Sequence, residues 1–437
     1  MKHFILVIFL SLTFIGIKSL SAQTQTVNDS LSLSSVLKQV ITNYPAIKKS
    51  EQDINAAIAQ VNLAKTGYLP DISINSNYAR IGPLSSLDVP GLGNFSLYPA
   101  DNYSASVDYK QSIYDFGRTA KNVAFESQNK EIAGLSAEQL KQKLSLSVIN
   151  VYYSIVFLQE AIRIKDEQLN TLNQHLQFVE KKKETGSATQ YEVLTTKVRI
   201  STVENQKTDL LTFLKVQICQ INSLLGQPEK SAIVLRKELQ PIQFISSTDS
   251  LIIIASQTRK EMKLAQERTT LSELRYKMVS AENNPAFNFI ASGGIKNGFI
   301  PDITEGRLNY AVGVGLRIPV YDASRTKNNL LKVTAEIQSN KEDLELTRRN
   351  IVNEVVESYA NMQAALQKIT QSELQLQQAQ QAYALAETSF KSGVITNLEL
   401  LDNSTSLSEV GLSVLKSKID YSLSLLKLRL SIGEQIY

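Results

Sequence analysis

From Tyr321 to Ser392 the chain contains neither Gly nor Pro, and its apolar residues recur three or four apart. Leu344, Ile351, Val355, Tyr359, Met362, Leu366 and Ile369 carry this spacing, the 3.6-residue period of a helix with one apolar stripe. About 70 residues rising about 1.5 Å each make a rod on the order of 100 Å long. Gly393 stops it, and a second helical run starts within Thr396 to Asp402. A compact domain has no use for a helix of that length. Helical hairpins of this reach form coiled coils, spacers or the walls of a tube.

The same stretch occurs twice. Tyr114-Asp115-Phe116-Gly117-Arg118 corresponds to Tyr321-Asp322-Ala323-Ser324-Arg325. Gly186, Thr189, Glu192 and Leu194 correspond to Gly393, Thr396, Glu399 and Leu401. Every pair lies 207 positions apart, an ungapped register that signals an internal duplication. The segment from Pro70 to Asp115 is eight residues longer than that from Pro285 to Asp322, which puts the difference in a loop.

The N-terminus reads as a secretory signal. Lys2 precedes an apolar run from Phe4 to Ile17, and Ser21-Ala22-Gln23 offers a small-residue cleavage point. No Cys follows that run, which excludes a lipid-anchored start. Past it there is no apolar run of 18 residues, so no transmembrane helix is indicated. Removing residues 1–22 takes two of the 46 basic residues, leaving 44 against 42 acidic. That balance argues against a nucleic-acid partner. Cys219 is the single cysteine, so no disulfide forms within the chain. Its place between Ile218 and Ile221 predicts a buried, inert thiol.

In chain order, Asp29 or Ser30 is a candidate cap for a helix beginning near Leu31, and Tyr44-Pro45 interrupts it. Tyr68 to Arg80 then alternates with period two. Residues 82–101 are rich in Gly, Pro, Ser and Asp and read as a loop. Tyr103, Ala105, Val107, Tyr109 and Ile113 alternate with Asn102, Ser104, Ser106, Asp108, Lys110 and Ser112. A first rod spans roughly 118–184 and a shorter helix 187–225. Residues 227–250 lose periodicity, and Leu251 to Ala281 reads as one helix. Phe287 and Phe289 begin another strand, Ser292 to Gly306 reads as a loop, and Arg307 to Tyr321 alternates throughout. The predicted organisation is a signal at 1–22, a first repeat at 23–226, a linker at 227–250 and a second repeat at 251–437. Strands fall at about 68–81, 102–114, 286–293 and 307–321.

Strands apolar on one face and polar on the other suit a soluble sheet or a membrane barrel. Spanning a bilayer takes about 9–11 residues, and at least three of the four reach that. Asp108, Lys110, Arg307 and Arg317 on the polar faces need water, which points to a wet lumen. Tyr68, Tyr78, Tyr103 and Tyr109 are candidates for the membrane interface. Four strands cannot close a barrel, and open edges do not persist in lipid. A membrane barrel therefore requires several copies of the chain.

Taken together, the duplication, the strand-to-rod junctions and the glycine tips resemble the TolC-like outer membrane efflux protein family over nearly all the mature chain. Its most specific pieces are Leu69-Pro70, Ile113-Tyr114-Asp115-Phe116-Gly117-Arg118, Ile318-Pro319-Val320-Tyr321-Asp322, and Lys391-Ser392-Gly393 followed by Leu398-Glu399-Leu400-Leu401-Asp402. The resemblance implies a homotrimer with a membrane β-barrel and a long α-helical barrel. Three chains give one 12-stranded barrel in the outer membrane, continued by a periplasmic tunnel closed at its glycine-bearing tips, Gly186 and Gly393. It implies the exit duct of a tripartite efflux pump or type I secretion system. The implied partners are a periplasmic adaptor and an inner-membrane transporter of the RND or ABC type. It places Glu399 and Asp402, with Glu192 as first-repeat counterpart, at the narrowest point, where stacked carboxylate rings favour cations. It places Asp115, Gly117, Pro319 and Asp322 at the junctions. Where those family members that hold their tips shut with a Tyr and an Arg carry them, this chain has Phe390 and Ile395, which predicts apolar packing instead.

Nothing else in the sequence carries chemistry. His175 is the one histidine past the signal, which argues against a histidine metal cluster or a Ser-His-Asp triad within one chain; on a rod it reads as a surface residue. Gly293-Gly294-Ile295-Lys296-Asn297-Gly298 lacks phosphate-loop spacing. Neither an enzyme nor a cofactor is indicated. The competing reading is a coiled-coil periplasmic adaptor or envelope spacer, which has no need of a lipid-facing strand face.

Overall fold

The apolar stripes and the alternating runs become two bodies joined end to end, a wall of helices and a four-stranded sheet. A computed structural model describes residues 30–91, 93–242 and 247–436; the signal-peptide reading falls outside them. Two rods dominate, α3 (Arg118–Glu184) and α7 (Arg325–Lys391), each of 67 residues. Each is followed by a return helix, α4 (Gln190–Leu225) and α8 (Asn397–Ser431). Short helices precede each hairpin: α1 (Leu33–Asn43) and α2 (Pro45–Lys65) in the first repeat, α5 (Thr248–Thr258) and α6 (Lys260–Ser280) in the second.

The chain breaks Leu251–Ala281 at Arg259, where one helix was predicted. No proline stands there. Arg259 instead adopts an extended backbone, φ −64° and ψ 127°. Its buried guanidinium is held by Glu261 (2.9 Å), Glu354 (2.8 Å) and the Ser431 carbonyl (3.0 Å). Side-chain ties impose at Arg259 the break that Pro45 imposes in the first repeat. The first helix starts at Leu33, capped by Ser32, whose hydroxyl accepts from the Ser35 amide at 3.2 Å.

The sheet contains β1 (Asp71–Arg80), β4 (Asp101–Tyr114), β5 (Ala286–Lys296) and β6 (Arg307–Arg317), all antiparallel, in the order β1-β4-β5-β6. Between β1 and β4, the predicted loop carries a small hairpin, β2 (Ser86–Val89) with β3 (Gly93–Ser96). Three strand boundaries differ from the sequence reading. β1 starts at Asp71 because Thr66–Tyr68 forms a 3-10 turn ahead of Pro70. β5 runs on to Lys296 through what read as loop. Gly293 and Gly294 give no side-chain alternation there, yet the backbone pairs with β4 and β6. At Gly294 an added Cβ would lie 2.1 Å from the Ala105 carbonyl oxygen, so that approach requires glycine. β6 ends at Arg317, before Pro319, which has no N–H to give a ladder.

The register puts every alternation in phase. Ile74 faces Val107, Val107 faces Gly293, and Gly293 faces Tyr310, all on one side. Ser73, Asp108, Ser292 and Ala311 form a row on the other. Asp108, Lys110, Arg307 and Arg317 all belong to that second face by the same register. The apolar face is bare: Leu308 is 86%, Tyr310 85% and Ile74 79% exposed.

The helices pack side by side in one layer. Nearest the sheet, the packed order is α2-α3-α6-α7; beyond the middle it is α4-α3-α8-α7. α1 lies against α3, and α5 against α7, at the midpoint of the rods. The largest core sits there. Val36, Leu37 and Val40 of α1 meet Val148, Ile149, Tyr152 and Ile155 of α3, Ile221 of α4 and Leu426 of α8. The inter-repeat segment joins this core through Ile233 and Leu235. It also pairs with the N-terminal strand segment, the Leu31 amide donating to the Val234 carbonyl at 2.9 Å. Contrary to the sequence reading, α3 does contain an 18-residue window apolar enough, by length and composition, to cross a membrane; 56% of that window is buried in the protein, which accounts for its composition. Cys219 is exposed rather than buried, because the apolar side of α4 at that level turns toward α1 through Ile221 and Leu225.

Candidate channel tip and sheet junctions

Both rods reverse direction by the same device. The Gly186 amide donates to the Lys183 carbonyl (2.9 Å) and the Ser187 amide to that of Lys182 (2.8 Å). Gly393 and Val394 repeat the pattern onto Phe390 (3.1 Å) and Ser389 (2.9 Å). This is a Schellman ending, and it needs a left-handed residue; φ is +74° at Gly186 and +75° at Gly393. Each return helix then opens on a capping box. The Thr189 amide donates to Glu192 (2.6 Å) and the Glu192 amide to the Thr189 hydroxyl (3.3 Å). Thr396 and Glu399 do the same at 2.7 and 3.3 Å.

The two glutamates expected at a constriction are thus both engaged as helix caps. The spacing Thr-x-x-Glu, present in both repeats, is a recognised helix-start signal. Their backbone bonds have an electrostatic effect. At Glu399, donation from the Thr396 backbone, then from its hydroxyl, holds the carboxyl below its usual range. Asp402, one turn on, accepts from Arg199 of α4 at 2.6 Å while its carboxylate stays mostly exposed. Glu192, Glu399 and Asp402 therefore come together at one end of the molecule, two as caps and one as a tie between the repeats.

Phe390 and Ile395 are packed, not bonded. Phe390 is buried with Val179, Val193, Ala386 and Leu400, and Ile395 lies against the same cluster. The Phe390 ring meets His175 edge-on at 5.1 Å and Phe178 at 6.2 Å. The Lys182 ammonium lies 4.9 Å from its centre, within cation–π range. His175 is half-buried here, contrary to the surface position predicted. Its Nε2 lies 2.6 Å from Asn397 Oδ1, and no sequence signal links residues 222 positions apart. His175, Phe178 and Phe390 line a cleft of about 410 Å³ with Tyr383, Glu387 and Leu400.

At the opposite end, both strand-to-rod junctions use positive backbone angles. Phe116 and Gly117 have φ of 52° and 82°; Ala323 and Ser324 have 55° and 61°. An aspartate stabilises each. Asp115 accepts from the Gly117 (3.0 Å) and Thr119 (2.7 Å) amides. Asp322 accepts from the Thr326 amide (2.9 Å) and from Asn283 (2.7 Å). Bonds from Thr326 and Asn283 hold the Asp322 carboxyl far below its usual range. Pro319 stands between the end of β6 and this junction. Among the described residues no group of three His, Cys, Asp or Glu side chains is placed to hold a metal.

A family model for outer membrane efflux proteins matches residues 36–227 and 251–434. The Escherichia coli outer membrane protein TolC is 20% identical over 448 residues, covering 98% of this chain and 86% of that one. The proteases secretion protein PrtF of Dickeya chrysanthemi is 20% identical, covering 79% of this chain and 76% of its own. Among solved structures, CusC superposes with a TM-score of 0.78 at 17% identity, over 92% of both chains. The outer membrane protein VceC of Vibrio cholerae gives 0.77 at 17% identity, over 93% of this chain and 97% of that one.

Proposed function

Because this chain belongs to the outer membrane efflux protein family, we propose that three copies of it build one channel through the outer membrane. Each copy contributes four strands to a 12-stranded barrel, and the helices continue it as a periplasmic tunnel. The channel is a passive exit duct for a tripartite efflux pump or a type I secretion system. A periplasmic adaptor and an inner-membrane transporter, of RND or ABC type, open it at the tip and supply the energy. Asp402, with Glu399 and Glu192 beside it, sits nearest the narrowest point and favours cations over anions.

One observation carries this reading. At every level the wall ends on one side in the first repeat and on the other in the second: β1 and β6 at the sheet, α2 and α7 below it, α4 and α7 toward the tip. Exposed apolar residues mark both edges, including Leu194, Val198 and Phe213 on α4 and Leu346, Leu374 and Leu385 on α7. Unlike edges that join head to tail generate a ring where the rotation between copies closes, as three copies would here. Closure also satisfies the backbone groups of β1 and β6, which lipid would leave unpaired. The bare apolar face then meets hydrocarbon, and the face bearing Asp108, Lys110, Arg307 and Arg317 meets water.

The test is reconstitution. Protein extracted from the outer membrane in detergent should cross-link as a trimer and conduct in planar bilayers. A detergent-independent, non-conducting monomer would refute the reading.

A further inference from the structure

The tip has a polar connection that the sequence at 390 and 395 does not provide. Asn397, the first residue of α8, is 3% exposed. Its amide nitrogen lies 3.3 Å from each of three oxygens on α4: the Glu192 carbonyl and the Thr195 and Thr196 hydroxyls. These acceptors set the orientation of the amide, so its oxygen faces α3. There it meets His175 Nε2 at 2.6 Å, and that nitrogen must carry the proton. One amide thus joins α8 to both helices of the first hairpin. Phe390 of α7, stacked edge-on against the same imidazole, brings in the fourth helix.

We propose that the His175–Asn397 hydrogen bond is the latch holding the α7/α8 turn against the α3/α4 turn, in place of polar links that Phe390 and Ile395 cannot make. This rests on reading the tip as the closable end of a channel. His175 is a positioning residue: it acts through Asn397 and touches no cargo. Charged and titratable groups surround it on three sides. Lys182 lies on α3, Glu192 on α4, and Tyr383, Glu387 and Lys391 on α7; α8 presents Asn397 and Leu400. Burial, the largest influence, holds the imidazole below its ordinary pKa; Lys182 acts in the same sense, and Asn397, Glu387 and Glu192 oppose them. A group with a depressed pKa stabilises the closed packing fully above its free value, about 6.5. That contribution is lost as pH falls through the depressed value. The closed packing therefore holds at neutral pH and loosens in acid, through the cost of burying an imidazolium and not through loss of the bond, which Nε2 donates in both states.

The experiment is single-channel recording of the full-length protein in planar bilayers at pH 8 and pH 5. At pH 8, His175→Ala should raise the open-to-closed ratio about ten-fold for each copy whose turn must move, the scale of one buried hydrogen bond per copy. Asn397→Ala, which also removes the contacts to α4, should raise it at least as much, and the double variant should add little to Asn397→Ala. His175→Gln, which keeps a donor and cannot titrate, should stay closed at both pH values while the natural protein opens at pH 5. Conducting channels in which His175→Ala matches the natural protein at both pH values would overturn the latch. So would an acid response that survives in His175→Gln. Absence of conductance in every form, the natural protein included, would instead overturn the channel reading, and the latch with it.

Discussion

Placing a lysine on either face of β6 separates a membrane barrel from a soluble sheet. Val312 is the middle residue of β6, pairs with Ala291 on the apolar face, and is 64% exposed. Its neighbour Ala311 pairs with Ser292 on the opposite face, in the row that includes Asp108. In a soluble sheet both sites are open to water, and Val312→Lys and Ala311→Lys should each cost within about 0.5 kcal/mol. In a bilayer the two differ. A lysine facing hydrocarbon at mid-depth costs about 2–4 kcal/mol, whereas one facing the lumen costs little. Three copies accumulate about 6–12 kcal/mol per trimer. Both variants introduce the same residue into adjacent strand positions, so intrinsic strand preference largely cancels in the comparison. Even 2 kcal/mol is about a 30-fold change in a folding constant. The assay is urea unfolding of protein reconstituted in lipid vesicles, followed by tryptic protection of the barrel. Val312→Lys should lower the midpoint markedly and Ala311→Lys should leave it in place. Equal midpoints would refute the assignment of the two faces and the barrel built on it.

Two further outcomes follow from the site geometry. Glu399→Ala with Asp402→Ala should weaken block by multivalent cations added from the periplasmic side, read as current through single channels. Each single variant should give part of that effect, since Glu399 is held by its helix cap and Asp402 by Arg199; unchanged block in the double variant would remove these acids from the constriction. At the other end, the depressed Asp322 carboxyl stabilises its junction at any pH above about 4, the free value, and loses that contribution as pH falls through its folded value. Asp322→Asn should therefore lower thermal stability at pH 7 but converge on the natural protein in strong acid, measured by circular dichroism; a constant difference across pH would refute this.

Much of the architecture was legible because it rests on local periodicity. A rod of 67 residues and a strand of ten both repeat one backbone state, so side-chain spacing alone reports which faces are apolar. The duplication then doubled each signal: α3 and α7, and the starts of α4 and α8, all stand 207 positions apart. Glycines at 186 and 393 were legible for the same reason, since a left-handed helix ending excludes most other residues. Where local signals were absent, the reading failed. The break at Arg259 comes from ion pairs to Glu354 and a bond to Ser431, which no window around residue 259 contains. β5 continues through Gly293 and Gly294 because its neighbours pair with it, not because its side chains alternate.

The sequence by itself therefore determined the units: two repeats, their rods, their two-faced strands and their glycine turns, each set by backbone preferences within a few residues. The tertiary structure alone decided what those units do to one another. It aligned four alternations on one sheet, left unlike edges open at every level, exposed Cys219, and brought His175 against Asn397. Such contacts join residues far apart in the chain, and their energies depend on distances that only packing creates.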